Sequence, residues 1–391
     1  MSNRRTFISV VIIPTLLVQT GLTMVSTFVP IYARDLGSSM AGAAVISAML
    51  FLGQALADLP GGILVHRFGD KPVMLAGIAL TAVSAAVRLA FETLTVLTVS
   101  MILFGVGISF IWIARMAWMK RGIRGAERGF AMSFVGGSLR VALILGPLAG
   151  GFLAERYGFA PLFVIQGILG LIAMATVAAA MPPSVPEGGD YRRSLSAAAA
   201  RWNEQRGTVL SAAVGIGGLT VLRASRGILF PLWADELGLA ESRVGLVMFV
   251  GSVVDVSLFW LSGVIMTRSG RKAAAIACTA SLAAAIALLP LADGMGTLAI
   301  LSALAGIGNA MGAGINLTVS GDLAPRESPE AFLSIWRFLM GFAGFGGPAL
   351  AAWAIGLVGT GAAPPMTAAA GFTGALAMVL FMKETHGKIE G

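Results

Sequence analysis

Six ionisable side chains interrupt stretches of the sequence that are otherwise apolar, and their chemistry needs an explanation. They are Arg140, Arg223, Arg226, Arg337, Asp58 and Asp255. Removing a charge from water is costly, so such residues usually face a wet cavity or a charged partner. An arginine in that setting can hold an anionic group. A buried carboxyl group can exchange a proton, because burial disfavours its charged form.

These properties suggest two kinds of role. Arg140 and Arg223 are predicted to hold an anionic or strongly polar part of a ligand. Asp255 is the first candidate for exchanging a proton, and Asp58 is the second. The alternative is that these residues form structural Asp–Arg pairs that join helices, and the sequence leaves it open.

Composition places the chain in a membrane. Hydrophobic residues make up 57% of its 391 residues and charged residues only 12%, whereas a soluble globular domain carries roughly 25% charged residues. The net charge of +8 is explained by basic residues retained in cytoplasmic loops, so we expect a lipid bilayer and no nucleic acid as partner. Two histidines and one cysteine predict neither a metal site nor another cofactor.

Twelve apolar runs are long enough to cross a bilayer, since a span takes about 20 residues. They lie near 7–33, 40–64, 72–91, 94–114, 130–153, 160–181, 208–233, 241–266, 273–292, 296–320, 331–357 and 364–382. Strands of a barrel would alternate polar and apolar residues, and these runs do not. An all-α membrane protein with twelve transmembrane helices is therefore predicted.

Lysine and arginine positions predict the orientation of the spans. Most of the 27 basic residues fall on one side of the predicted spans. Four arginines are assigned to the other side: Arg34, Arg88, Arg156 and Arg243. Both termini are therefore expected to be cytoplasmic, in a multi-pass protein of the cytoplasmic membrane.

The chain repeats itself after 201 residues. The stretch GGILVHRFGDK (61–71) shares its Gly, Arg, Gly and Lys spacing with SGVIMTRSGRK (262–272), and Gly146-Pro147 recurs as Gly347-Pro348. One ungapped offset holds from the first span to the fifth, which indicates a duplication of six helices. We predict six-helix bundles at 1–181 and 208–391 joined by a cytoplasmic linker at 182–207. Two such parallel repeats, related by an axis along the membrane normal, form a transporter architecture.

With these features the chain resembles the major facilitator superfamily, and its twelve-helix drug–proton antiporters in particular. The family's signature cassette between spans 2 and 3 is matched twice, at Gly62, Arg67, Gly69 and Lys71 and at Gly263, Arg268 and Gly270. The resemblance implies a gating role for these loops. The family's Asp is replaced by His66 and Thr267, and Asp70 stands where the family has a basic residue. The alternative is a plain basic cytoplasmic turn.

The GPLAGG stretch (146–151) resembles part of a motif of proton-coupled exporters in the family. We predict bends at Gly146, Pro147, Gly347 and Pro348, because proline removes a backbone hydrogen bond. Tight helix packing through the glycines is the alternative. Met101 replaces the arginine that many members carry near the middle of span 4.

The family fold implies that spans 1, 4, 7 and 10 line a central cavity. Gln19 and Thr23 follow helical spacing on span 1, and Asn309 and Asn316 are seven residues apart on span 10, hence on one face. All four are predicted cavity residues, and interhelical hydrogen bonds are the alternative.

The expected function is secondary active transport of a small organic solute by alternating access, coupled to H⁺ and directed outward, in a monomer. An organic-anion exchanger or importer and a lipid flippase are the alternatives within transport. A membrane enzyme is disfavoured because no HExxH or GxSxG motif occurs, and the missing Walker lysine motif disfavours ATP-driven pumping. A sensor would more often carry a sizeable soluble domain.

Overall fold

A computed structural model describes residues 4–122, 125–183, 196, 200, 202–203, 205–324 and 329–384. All regular secondary structure within those ranges is helical. The first half contains α1 (Arg5–Asp35), α2 (Met40–Phe68), α3 (Asp70–Ala90), α4 (Leu94–Gly122), α5 (Gly125–Tyr157) and α6 (Ala160–Ala180).

The second half contains six further spans, two of which are interrupted. They are α7 (Arg206–Glu236), α8 (segments Glu241–Leu258 and Trp260–Arg268), α9 (Gly270–Ala287), α10 (segments Met295–Met311 and Ile315–Leu323), α11 (Pro329–Val358) and α12 (Ala363–Phe381). Among the described residues, eleven helices are long and apolar enough to cross a membrane, and α8, bent by 48°, is the twelfth if its segments form one span. The prediction of a twelve-helix, all-α membrane fold is confirmed.

The duplication is visible in the backbone. Six of the seven glycines with positive φ in the described residues form three pairs that are 201 residues apart. They are Gly37 and Gly238 (φ 87° and 67°), Gly69 and Gly270 (88° and 90°), and Gly158 and Gly359 (76° and 106°). This left-handed region favours glycine, so the turns that connect equivalent spans are built from the same residue type.

Helix packing follows the same repeat. In the first half α1 packs on α5 and α6, and α3 packs on α4 and α6. In the second half α7 packs on α11 and α12, and α9 packs on α10 and α12. Each of these four helix pairs in one half thus has its counterpart in the other.

Close helix crossings also recur at the offset of 201. A Cβ atom at Gly105 in α4 would overlap the backbone carbonyl oxygen of Leu50 in α2. A Cβ atom at Gly306 in α10 would likewise overlap the carbonyl oxygen of Gly251 in α8. Only glycine permits these backbones to approach so closely, which is a common feature of membrane helix packing.

The chain divides into two compact units. One comprises Met1–Ser38, Met49–Gly189 and Ala240–Phe249, and the other comprises Ser39–Ala48, Asp190–Leu239 and Val250–Gly391. The start of α2 and the start of α8 are therefore each assigned apart from the rest of their helix, at positions 201 residues apart. The predicted division into 1–181 and 208–391 stays a prediction, and most of the linker 182–207 lies outside the described residues.

Candidate functional site

Asp255 lies in the first segment of α8, shortly before the bend, and is only 4% exposed. The side-chain amide of Asn309, in α10, donates a hydrogen bond of 2.7 Å to Oδ2 of Asp255. The other oxygen, Oδ1, is buried and has no hydrogen-bond partner among the described residues. A buried carboxylate oxygen without a partner is costly.

Two arginines of α7 lie near this carboxylate, in the same unit. Arg223 and Arg226 are one helical turn apart and so share a face. Arg226 interacts electrostatically with Asp255 and with Arg223. Its Nη2 lies beside Gly251 of α8, where a Cβ atom would be only 2.6 Å away. Glycine at position 251 therefore leaves room for the guanidinium group.

Arg223 contacts a break in α10. Its Nη2 donates to the backbone carbonyl oxygen of Gly312 at 2.8 Å and also contacts the Sγ atom of Cys278 at 3.6 Å. Gly312 lies between the two segments of α10, and Gly314 has φ +78°. Helix ends leave carbonyl groups short of intrahelical donors. Here Arg223 adds a donor to the Gly312 oxygen, which also accepts from the backbone N–H of Ile315 at 3.1 Å.

A second side chain binds the same break. The hydroxyl of Ser262, in α8, donates to the carbonyl oxygen of Ala313 at 2.7 Å. We call Arg223, Arg226, Asp255 and Asn309 the α7–α8–α10 cluster. It contains two arginines and one carboxylate, so it has an excess of one positive charge when Asp255 is ionised. The structure brings these predicted residues together, in helices of membrane-spanning length.

Asp58 occupies a related place in the first half. It is 3% exposed on α2, and the hydroxyl of Ser109 in α4 donates to its Oδ1. In both halves a carboxylate of the second span thus accepts a hydrogen bond from the fourth span. Gln54, one turn before Asp58, is the residue that lies 201 positions before Asp255.

The other predicted cavity residues of the first half lie on α1 and α5. Arg140 is half-buried, and its Nη1 donates to the carbonyl oxygen of Gly136 in the same helix at 3.3 Å. The hydroxyl of Thr23 donates to the carbonyl oxygen of Ala142 in α5 at 2.8 Å and lies 3.0 Å from that of Gln19. Thr23 thus makes an interhelical hydrogen bond, and the cavity roles of Arg140, Gln19 and Thr23 stay predictions.

The expectation that Asn309 and Asn316 share one helical face is wrong. The first segment of α10 ends at Met311 and the second begins at Ile315, so helical periodicity does not run through both positions. Asn309 donates to Asp255, whereas Oδ1 of Asn316 accepts a hydrogen bond of 2.7 Å from the indole of Trp336.

The lysine of each cassette binds backbone carbonyl groups at the end of the last span of its half. Lys71 donates through Nζ to the carbonyl oxygens of Ala178 and Met181 at the end of α6, at 2.8 and 2.6 Å. Lys272 donates to the carbonyl oxygen of Val379 near the end of α12, at 2.8 Å. A lysine at a helix C-terminus satisfies free carbonyl groups and complements the helix dipole.

The residue before each lysine forms an ion pair with the fourth span of its half, and the charges are reversed between the halves. Asp70 pairs with Arg121 at the end of α4. Arg271 pairs with Asp322 at the end of α10, at 3.2 Å. Asp70 and Arg271 are 201 residues apart, and so are Arg121 and Asp322. The two halves therefore have an ion pair at the same place with the acidic and basic residues exchanged.

Other cassette residues are placed without a visible gating contact. Gly69 and Gly270 form the turns before α3 and α9, while Arg67 and Arg268 are exposed. Gly62 is buried in α2 and Gly263 is exposed in α8. Their gating role stays a prediction.

The predicted hinge residues lie inside continuous helices. Pro147 is within α5 and Pro348 is within α11. A Cβ atom at Gly146 would overlap the hydroxyl of Thr23, and one at Gly347 would overlap the carbonyl oxygen of Val221. Both glycines thus permit close crossings with the first span of their half, and bending at these points stays a prediction.

Sequence reasoning missed two buried arginines. Arg88, assigned to an outer loop, lies in α3 at 2% exposure and donates to the side chain of Gln166 at 2.9 Å. Arg115, assigned to an inner loop, lies in α4 at 3% exposure, and its guanidinium group donates to Thr15 at 2.6 Å and stacks on Trp112. Arg88 carried a usable signal, because a basic residue on the outer side departs from the positive-inside rule.

Comparisons with known proteins agree with this fold. Residues 11–222 and 212–391 match the family model described as the Major Facilitator Superfamily. The multidrug resistance protein MdtL of Escherichia coli (strain K12) is 24% identical over 258 residues, which cover 65% of this chain and 66% of the relative, just under two thirds of its length. MdtL of Shigella dysenteriae serotype 1 matches with the same identity and coverage.

Two solved structures show the same fold. A POT family transporter in complex with a thioalcohol-conjugated peptide superposes with a TM-score of 0.79 at 11% identity, over 95% of each chain. A D-xylose–proton symporter superposes with a TM-score of 0.72 at 16% identity, over 98% of each chain.

Proposed function

This chain belongs to the Major Facilitator Superfamily, and we propose that it couples proton movement to the export of a small organic solute by alternating access. Members of this family are membrane transporters of small molecules and not enzymes. The proposal adds the coupling ion and the direction. Export is supported by the name of the multidrug relative, and coupling by the α7–α8–α10 cluster.

The observation that carries the proposal is the buried carboxylate of Asp255, which interacts electrostatically with Arg226 and whose Oδ1 has no hydrogen-bond partner among the described residues. When Asp255 is ionised, its negative charge attracts and balances the positive charge of Arg226. When Asp255 is protonated, that attraction is lost and the arginine becomes available to another partner. A single proton can therefore change the partners of a positively charged group that lies among membrane-spanning helices.

Transport in proteoliposomes with an imposed pH gradient tests this function. We expect Asp255→Asn to abolish gradient-driven accumulation and to leave equilibrium solute exchange, because the amide keeps the shape of the carboxyl group but does not titrate. Asp293→Asn, which removes an exposed carboxylate between α9 and α10, is the matched control and should behave as wild type. Normal accumulation by Asp255→Asn would refute the assignment, and Asp58→Asn would then be the next variant to measure.

A second candidate function is the exchange or import of organic anions, which the excess positive charge of the cluster favours. A panel of solutes that differ only in charge separates the two candidates. We expect Arg140→Ala to weaken the transport of anions more than that of cations if Arg140 faces the solute. An equal loss for both would make Arg140 a structural residue.

The placement in the bacterial cytoplasmic membrane belongs to the same proposal, as do cytoplasmic termini and a monomeric state. The basic cassettes support the orientation, because lysine and arginine are retained on the cytoplasmic side. Cysteine-accessibility or reporter-fusion mapping of the 61–71 and 262–272 stretches would place them on the outside if this orientation were incorrect.

A further inference from the structure

We propose that Arg223 and the break in α10 form a latch, and that an anionic group of the transported solute releases it. The latch consists of Arg223, Gly312, Gly314 and Cys278. The inference rests on the second candidate function, the carriage of an organic anion, and adds to it a site and a structural response. It concerns contacts within one unit only.

The closed latch is defined by two contacts of the Arg223 guanidinium group. Its Nη2 donates to the carbonyl oxygen of Gly312 at 2.8 Å. The neighbouring thiol of Cys278 in α9 is 3.6 Å from the same nitrogen and is fully buried. A Cβ atom at Gly312 would lie 2.5 Å from that sulfur, so the break covers the thiol directly.

The guanidinium group of Arg223 retains capacity for another ligand. Its Nε is buried and has no hydrogen-bond partner among the described residues, and the same holds for Nε of Arg226 one turn away. The cluster around them has one positive charge more than its carboxylate balances. An anion at this position would supply both the missing charge and the missing acceptors.

An anionic ligand competes well with the present acceptor. Gly312 offers Arg223 a neutral carbonyl oxygen, whereas a carboxylate would add the attraction of opposite charges and could accept two parallel hydrogen bonds from the guanidinium group. Once Arg223 turns to the anion, the carbonyl oxygen of Gly312 keeps only the backbone N–H of Ile315, at 3.1 Å, as its donor. Gly314, at φ +78°, marks where the backbone can change its angles without strain from a side chain.

The two contacts at the break are not equivalent. Ser262 binds the carbonyl oxygen of Ala313 through a neutral hydroxyl, which attracts an anion less strongly than a guanidinium group does. Arg223 binds the adjacent carbonyl through a charged group. The solute is thus expected to remove the Arg223 contact and leave the Ser262 contact, which would shift the segment Ile315–Leu323 about the glycines.

Cys278 is a built-in reporter of this release. It is the single cysteine of the chain, so a thiol reagent labels one site without any engineering. We expect labelling by a small methanethiosulfonate reagent to rise about tenfold or more when the latch opens, a factor that matches the loss of one charge-assisted hydrogen bond. Hydrogen–deuterium exchange of the 312–318 backbone amides should rise in parallel, and it does not depend on thiol reactivity.

The probes are benzoate, benzyl alcohol and benzylammonium, which share a shape and differ in charge. Both signals should rise with benzoate and stay at the baseline with the other two. In Arg223→Gln both should be high without solute and should not respond to benzoate. Arg223→Lys, which keeps the charge, checks that a loss of response is not merely a loss of folding.

Ser262→Ala is the matched control, since it removes the other contact at the break and keeps the charge. It should raise the baseline while the response to benzoate persists. Equal responses to all three probes, no response to benzoate, or a persisting response in Arg223→Gln would each overturn the latch. The latch experiment uses no pH gradient, so its outcome is independent of proton coupling. If the separate proteoliposome assay shows no gradient-driven transport while benzoate still opens the latch, proton coupling is refuted and the latch stands.

Discussion

At the scale of single residues, the arginines within the spans separate into two kinds by how completely their nitrogens are bound. Arg88 donates to the backbone and hydroxyl of Ser84 and to Gln166, and it lies over the rings of Phe104 and Phe163. Arg226 has a buried Nε without a partner among the described residues and lies near a titratable carboxylate. The first arrangement stabilises a bundle, and the second can change its partners.

Replacing Arg88 by Ala should destabilise the protein markedly. The change removes the donor to the buried side-chain oxygen of Gln166, and an unsatisfied buried group costs about 1–3 kcal/mol. We expect a clear fall in the thermal unfolding midpoint in detergent. Arg156→Ala, at an exposed position, is the control and should leave the midpoint near wild type. An unchanged midpoint for Arg88→Ala would show that its contacts do not contribute to stability.

Sequence reasoning identified the chemistry of the site but not its contacts. The cost of burying a charge was enough to single out Arg223 and Asp255. Their partners Gly312 and Cys278 carried no pattern of their own, because a backbone carbonyl and a thiol in an apolar run look like ordinary helix. Arg88 and Arg115 were misplaced because both lie near the ends of predicted spans and were counted with the flanking loops, although both side chains are buried.

At the scale of elements, the cassettes fasten the first turn of the third span in each half. A lysine binds the end of the last span, and the preceding residue pairs with the end of the fourth span. The ion pairs Asp70–Arg121 and Arg271–Asp322 occupy equivalent positions with opposite polarity. Both halves thus contain the ion pair, with the acidic and the basic residue exchanged between the two helices.

Reversing the first pair should test whether complementarity matters more than polarity. Asp70→Arg and Arg121→Asp alone place like charges together, and each should lower the thermal midpoint and transport. The double variant recreates the polarity seen at Arg271–Asp322, so it should recover most of the loss. A coupling energy of about 0.5–3 kcal/mol is expected from the double-mutant cycle. Additive losses would contradict the pairing.

The break in α10 illustrates what an element-level prediction lacks. Hydropathy and length depend on composition, and residues 296–320 are apolar enough to be read as one uninterrupted helix. At the break, α7 and α8 contribute side-chain donors to the carbonyl oxygens of Gly312 and Ala313, and such tertiary contacts are not visible in composition. Helical spacing therefore gave a wrong common face for Asn309 and Asn316.

At the scale of the whole molecule, the duplication made most of the fold predictable. A single offset of 201 residues related the halves in the sequence, and the same offset relates turn glycines, close crossings and lysine contacts in three dimensions. Substrate and direction were not predictable in this way. The names of the similar solved structures mention different compounds, a conjugated peptide and D-xylose, because specificity resides in a few side chains and not in the fold.

The most direct test of the central claim, that Asp255 carries the proton coupled to transport, is solute-driven proton movement. Weakly buffered proteoliposomes with an internal pH dye would receive an outward solute gradient. Wild-type protein is predicted to change the internal pH as the solute leaves, and Asp255→Asn is predicted to release the solute without a pH change. Equal proton movement in the wild type and in Asp255→Asn would contradict the account.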